Sequence, residues 1–193
     1  MGLEIEAKLK VDSHDAIRAT LADAQARCVG QVLESNVLFD HPDGSLRAKG
    51  CGLRVRSCVA LAGETPMPTI TYKGPRQASP FKCREEIEIT VDDAAQTQAM
   101  LESIGLALIL VFEKRRESWQ LDDCLIELDE VPYLGTFVEI EGPNEQQIHR
   151  MQDRLGLSGR ALIRNSYIAL LVDYCKHHGL PISSITFEQA NAT

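Results

Sequence analysis

No apolar run among the 193 residues reaches the roughly 20 positions that a membrane-spanning helix requires, and no signal peptide is recognisable. The cysteines (Cys28, Cys51, Cys58, Cys83, Cys124, Cys175) form no Cys-x-x-Cys pair and have no zinc-ligand spacing. Scattered thiols in such a chain predict a reducing, cytoplasmic setting, with each cysteine serving as a small buried hydrophobe. Positive charge is also scarce: 20 Lys and Arg against 28 Asp and Glu leave a formal charge of −8. That balance argues against a nucleic-acid surface, which needs a basic stripe. None of His14, His41, His149, His177 and His178 pairs with a Cys or Ser for nucleophilic catalysis. No repeat, low-complexity linker or composition break divides the chain, so residues 1–193 read as one domain, with its core over about 3–172.

What the chain does have is charge repeated at intervals of two. Glu4 and Glu6, with Lys8 beside them, are matched far downstream by Glu139 and Glu141. Between them stand Arg54 and Arg56, Lys82 and Arg84, Glu86 and Glu88, Lys114 and Arg116, Glu127 and Asp129. Side chains two apart share one face of a β-strand, so nearly every strand here carries charge on one face and apolar residues on the other. With the apolar faces outward under helices, the charged faces enclose a polar lumen.

The local signals agree. Strands are expected at about 3–11, 28–40, 52–60, 67–73, 81–91, 107–120, 124–131 and 135–141. Asp12 or Ser13 is placed to cap a helix through about Ala26, and Asp92 a second over about 93–104, closed by Gly105. Asn144 caps a third, and a fourth spans about 160–178 with Leu162, Ile163, Ile168, Leu171 and Val172. Gly74-Pro75 is expected to stop its strand before a polar loop over 75–80, and the tail at 180–193 has no strong signal. The sum is an α+β fold whose eight strands close into an antiparallel barrel, which also removes exposed edges.

Inside such a barrel the acids would be Glu4, Glu6, Glu86, Glu88, Asp129, Glu139 and Glu141, and the bases Lys8, Arg54, Arg56, Lys73, Lys82, Arg84, Lys114 and Arg116. A single Glu-x-Glu or Arg-x-Arg is usually a solvated strand face with weak salt bridges. Recurrence at consistent parity on so many strands is not accounted for that way. Paired carboxylates are hard ligands for Mg²⁺ or Mn²⁺, and clustered Arg and Lys neutralise a polyanion. Together they are equipment for phosphoryl transfer.

The ordered set also resembles the CYTH superfamily, the triphosphate tunnel metalloenzymes, which includes class IV adenylyl cyclases, thiamine triphosphatases and inorganic triphosphatases. The resemblance rests on Glu4-x-Glu6-x-Lys8, Leu53-Arg54-Val55-Arg56, Tyr72-Lys73-Gly74-Pro75, Arg84-Glu85-Glu86-Ile87-Glu88, Glu113-Lys114-Arg115-Arg116, Asp129-Glu130-Val131-Pro132, Leu134 through Glu141, and Ser166-Tyr167. It implies an eight-stranded tunnel that binds a triphosphate with one or two divalent cations, Mg²⁺ or Mn²⁺. It further implies Glu4, Glu6, Glu139 and Glu141 as metal ligands, with Asp129 joining them. Arg54, Arg56, Lys73, Arg84, Lys114 and Arg116 would hold phosphates, and Lys8 would orient or deprotonate the nucleophile. Glu86 and Glu88 would support either set.

Cyclase and hydrolase share this machinery and differ in the nucleophile. Bacterial class IV cyclases often have a His-Phe pair shortly before the first motif, where this chain reads Met1-Gly2-Leu3. Animal thiamine triphosphatases place a Tyr near the end of the second strand, where Val37-Leu38-Phe39-Asp40 stands, and Gly52 replaces a stacking Trp. Trp119 falls among packing residues. The expected function is therefore a metal-dependent triphosphatase acting on inorganic triphosphate or a triphosphate-bearing substrate. The alternatives are an adenylyl cyclase and a non-catalytic polyphosphate or nucleotide binder. The substrate is the only partner expected, without nucleic acid or membrane, in a monomer or homodimer.

Overall fold

The computed structural model describes residues 2–79 and 81–192. Met1 and Thr193, at the ends of the 1–193 reading, and Pro80 of the loop expected over 75–80, lie outside them. The elements run β1 (Gly2–Lys10), α1 (Asp15–Asp23), β2 (Arg27–Asp40), α2 (Ser45–Ala48), β3 (Gly52–Ala62), β4 (Thr69–Arg76), β5 (Lys82–Thr90) and α3 (Ala94–Ser103). There follow β6 (Ala107–Leu121), β7 (Cys124–Val131), β8 (Gly135–Glu141), α4 (Glu145–Arg154), α5 (Tyr167–His178), β9 (Ser184–Ile185) and α6 (Phe187–Asn191).

Strands β2-β3-β4-β5-β1-β8-β7-β6 pair in that order, and β2–β6 pairing closes the ring as an eight-stranded antiparallel barrel. Register puts the charged positions level across strands. Glu6 faces Lys82 on one neighbour and Glu141 on the other, Lys8 faces Glu139, Asp129 faces Arg116, and Lys114 faces Glu34. The apolar parity points outward. On β1, β7 and β8 it packs Ala7, Leu9, Ile126, Leu128, Val138 and Ile140 against Ile17 and Leu21 of α1 and Ile148 and Met151 of α4. A smaller cluster joins Leu101 of α3 to Val37, Phe39 and Val55 of β2 and β3.

One outer wall departs from the expected helical cover. Val59 and Leu61 of β3 and Ile87 and Ile89 of β5 remain exposed. The lumen also changes character along its length. Two residues beyond Lys8, Glu139 and Lys114, the same faces carry Lys10, Phe137 and Phe112, then Leu110. Helix α5 packs Tyr167, Leu171 and Cys175 onto Leu110, Phe112 and Phe137, all buried. It closes the apolar end of the barrel.

Several local expectations are corrected. Neither Asp12 nor Ser13 caps α1: His14 takes the N-cap position and the Ser13 hydroxyl turns to Asp15. Asp93, not Asp92, caps α3, its carboxylate accepting from the Ala95 and Gln96 backbone N–H groups at 2.7 and 3.0 Å. Gly74-Pro75 does not end β4, which continues to Arg76 across a register shift, where a bulge spares proline the missing ladder donor. Residues 160–166 are not helical; helix α5 starts at Tyr167, with Ser166 as its cap. The Ile163 N–H instead donates to the Lys8 carbonyl at 2.8 Å. It fills an edge of β1 that β5, paired only over Gly2–Glu6, leaves open.

Within the described part of the tail, residues 180–192, a strand and a helix form. Strand β9 runs parallel to β6 at Val111 and Phe112, beyond the reach of β7, and seals an otherwise bare edge. The capping-box spacing of Thr186 and Gln189 at the start of α6 was the available signal. Of the cysteines only Cys83, Cys124 and Cys175 are buried; Cys28 is exposed, and Cys51 and Cys58 are half-buried. The Asn144 cap holds as expected, accepting from the Gln147 N–H at 2.9 Å.

Candidate active site

The barrel encloses a cavity of about 1250 Å³. Glu4, Glu6, Lys8, Arg54, Arg56, Lys73, Arg84, Glu86, Glu88, Lys114, Arg116, Glu139 and Glu141 line it, so the tertiary fold gathers every expected site residue except Asp129. Asp129 is completely buried behind the lining. Its oxygens accept from Arg116 Nε at 2.7 Å, Arg116 Nη2 at 2.6 Å, Lys114 Nζ at 3.3 Å and the Tyr167 hydroxyl at 2.8 Å. So engaged, it is a brace for cations and has little left to offer a metal.

Lys8 lies at the centre, with its side chain 1% exposed. Its Nζ is 3.1 Å from Glu139 Oε1, 4.0 Å from Glu6 Oε1 and 3.1 Å from the Asn165 carbonyl. Burial lowers its pKa, opposed by Glu139 and Glu6. Arg116 is a hub: besides the two bonds to Asp129, Nη2 contacts Glu139, Nη1 contacts Glu127, and Nε is 3.9 Å from Glu34. These carboxylates outweigh burial and raise its pKa well above the ordinary guanidinium value. Burial alone would raise Glu34 and Glu139. Lys114, Arg116 and Arg56 hold the first far below the usual carboxylate range, and Lys8, Arg116 and Lys114 do the same for the second. Glu127 fares otherwise: burial pushes it to about 8 against Arg116 and Lys114, with Asp129 and Glu139 adding to the rise. Arg116 is shared among Asp129, Glu139, Glu127 and Glu34, and at Glu127 burial outweighs it.

Glu34 and Glu127 line or brace this network without having been singled out for the site. The Glu127-x-Asp129 pair was visible as a repeat, and Glu34-x-Asn36 shows the same spacing on β2. Lys82, placed inside by parity, pairs with Glu6 at 2.8 Å, and Glu6 with Glu139 and Glu4 raises its pKa despite burial.

The remaining cations stand on β3, β4 and β5. Lys73 contacts Glu86 and is 3.7 Å from Glu4; Arg54 is 3.6 Å from Glu88; Arg56 is 3.3 Å from Glu88 and 3.5 Å from Glu34. Arg84 Nε is 3.7 Å from Glu86, beyond hydrogen-bond range. Neither Arg54 Nε nor Arg84 Nε has a hydrogen-bond acceptor, and neither Glu4 Oε2 nor Glu6 Oε1 has a donor, although all four atoms are buried. Glu6 Oε1 is close to Lys82 but without hydrogen-bonding angles, so the charges attract and the lone pair stays unused.

A divalent cation suits the acidic side. Carboxylates converge on Glu141: burial, then Glu4, Glu6 and Glu86, push it to about 7. Burial and Glu139 also raise Glu6, against Lys82 and Lys8. Among the described residues no three His, Cys, Asp or Glu side chains are already gathered round one metal-sized position. The donor chemistry fits all the same: hard carboxylate oxygens, two of them unused and mutually repelling, are what Mg²⁺ or Mn²⁺ takes.

Residues 2–167 match the CYTH domain family. The chain is 25% identical over 177 residues to a candidate adenylate cyclase of Methanocaldococcus jannaschii, covering 87% of this chain and 98% of that one. It is 27% identical over 177 residues to the adenylate cyclase CyaB of Aeromonas hydrophila, covering 86% and 87%. Among solved structures, the PH1819 protein of Pyrococcus horikoshii superposes with a TM-score of 0.74 at 26% identity, over 89% of this chain and 99% of that one.

Proposed function

The chain belongs to the CYTH domain family, and from that premise we propose that it is a divalent-metal-dependent triphosphatase acting on inorganic triphosphate or on an organic compound that carries one. Members of the family are adenylate cyclases or triphosphatases and depend on divalent metal. The observation that carries the reading is a double vacancy in hydrogen bonding: buried Arg54 and Arg84 donors without acceptors share a cavity with buried Glu4 and Glu6 acceptors without donors. Leaving such groups unmatched is costly, and a metal–triphosphate complex satisfies both kinds at once.

Glu4, Glu6 and Glu141, with Glu139, would hold the cation, which supplies Lewis-acid neutralisation of phosphate oxygens. Arg54, Arg56, Lys73, Arg84 and Lys114 grip those oxygens, with the arginines able to do so through two N–H groups. Lys8 orients the attacking water. Arg116 takes a different part from the one the motif implied: committed to Asp129, Glu139 and Glu127, it fixes the carboxylates.

Lys8, held by Glu6, Glu139 and the Asn165 carbonyl, presents a fixed ammonium toward which a water nucleophile can be oriented. A second reading, cyclisation of ATP, is favoured by the Aeromonas relative and by the apolar part of the cavity lining, Leu38, Leu110, Ile168 and Val172, the kind of surface a nucleoside needs. Incubation with triphosphate and with ATP in Mg²⁺ or Mn²⁺, followed by separation of products, distinguishes the two. Orthophosphate release is the expected result; cyclic AMP with stoichiometric pyrophosphate overturns it.

Binding has its own signature. Acids and bases are interleaved along the lumen, so a bare polyanion meets repulsion as well as attraction. Triphosphate with metal at about 100 times its Kd should raise Tm by about 5–10 °C, from about 2.7 kcal/mol of linkage. Without metal the shift should stay below about 2 °C in the same melting experiment. An equal shift in the presence of a chelator would remove the metal from the reading.

A further inference from the structure

Lys8 is held from two sides. The strands supply Glu6 and Glu139; the other two contacts come from the segment entering α5, namely the Asn165 carbonyl at 3.1 Å and the Tyr167 ring, whose centroid is 3.9 Å from Nζ. A buried ammonium has three protons to place, and a π face beneath it limits where they can point. The ring is itself pinned. Its hydroxyl donates to Asp129 Oδ2 at 2.8 Å, and its edge packs on Phe137 with centroids 5.2 Å apart. Lys114 Nζ stands 5.4 Å from the same ring and shares Asp129 with Arg116. One buried aromatic thus touches the lysine that faces the nucleophile and the carboxylate that braces two cations.

The geometry points to Tyr167 as a positioning residue that fixes the direction of the Lys8 ammonium inside the tunnel, with the ring as the operative part and the hydroxyl as its anchor. This rests on the reading of Lys8 as the group that orients the nucleophile. The helix that closes the barrel therefore also sets the aim of the central lysine. Misplacing a reacting group by about 1 Å can cost on the order of 100-fold in rate.

The test compares Tyr167→Phe with Tyr167→Leu by steady-state kinetics and by NMR of the Lys8 side chain. Tyr167→Leu is expected to lower kcat about 100-fold with KM changed less than about threefold, while Tyr167→Phe stays within about tenfold of the parent. Lys8 ε-methylene protons over an aromatic face resonate upfield; that shift should persist in the Phe variant and vanish in the Leu variant. A folded Leu variant with parental kcat, equal impairment of both variants, a rise in KM that accounts for the loss, or no upfield shift in the parent would each overturn the assignment. Should Tyr167→Leu not fold, Tyr167→Met fills the space without a π face and takes its place. Absence of turnover in the parent would defeat the functional reading alone, because the NMR comparison still decides the positioning.

Discussion

Arg116→Met is expected to lower stability by about 3–5 kcal/mol, the usual cost of removing one partner from a buried ionic network. The guanidinium bonds Asp129 through two nitrogens and also contacts Glu139 and Glu127. Methionine fills the volume but leaves those carboxylates facing one another, with Lys114 and Lys8 as the nearest remaining cations. At about 2–4 °C per kcal/mol for a chain of this size, the melting temperature should fall by roughly 6–20 °C. Urea unfolding checks the free energy directly. Adding Asp129→Asn should recover part of the loss, since it removes a charge that Arg116 no longer meets. A single-variant loss below about 1 kcal/mol would mean that the hub is solvated and its carboxylates independent of it.

The second large effect runs in opposite directions for stability and activity. Glu4→Gln and Glu141→Gln should leave the metal-free protein as stable as the parent or more so, because Glu141 is crowded by Glu4, Glu6 and Glu86 and Glu4 adds to the repulsion on Glu6. The same changes should reduce metal-dependent turnover about 100- to 1000-fold, since the charge neutralisation a metal supplies is worth several kcal/mol at about 1.4 kcal/mol per tenfold. Such an exchange of function for stability is characteristic of groups held together for a ligand. Thermal unfolding without metal and initial rates at saturating metal read the two halves separately. Lost stability together with unchanged rates would return these glutamates to the role of ordinary structural ion pairs.

Much of this architecture follows from local chemistry. Alternation at a period of two is written residue by residue, so the eight strands, their charged faces and the α+β class are all readable before any contact is known. The signals that failed were local choices between near-equals: Asp92 or Asp93 as a cap, and whether 160–166 continued the helix. The second was settled by an open edge of β1, whose Lys8 and Lys10 carbonyls accept from the Ile163 N–H and the Arg160 side chain. The sequence by itself determined that a charged lumen exists and most of the side chains that enter it, though not Glu127, which lines it, nor that Asp129 stands behind its wall. Which charges meet was decided by the tertiary structure, because that depends on register between strands far apart in the chain. Register paired Asp129 with Arg116, brought Glu34 and Glu127 into the network, and left Glu4, Glu6, Arg54 and Arg84 with unmatched atoms. A strand's parity says which way a side chain points; only closure of the barrel says what it finds there.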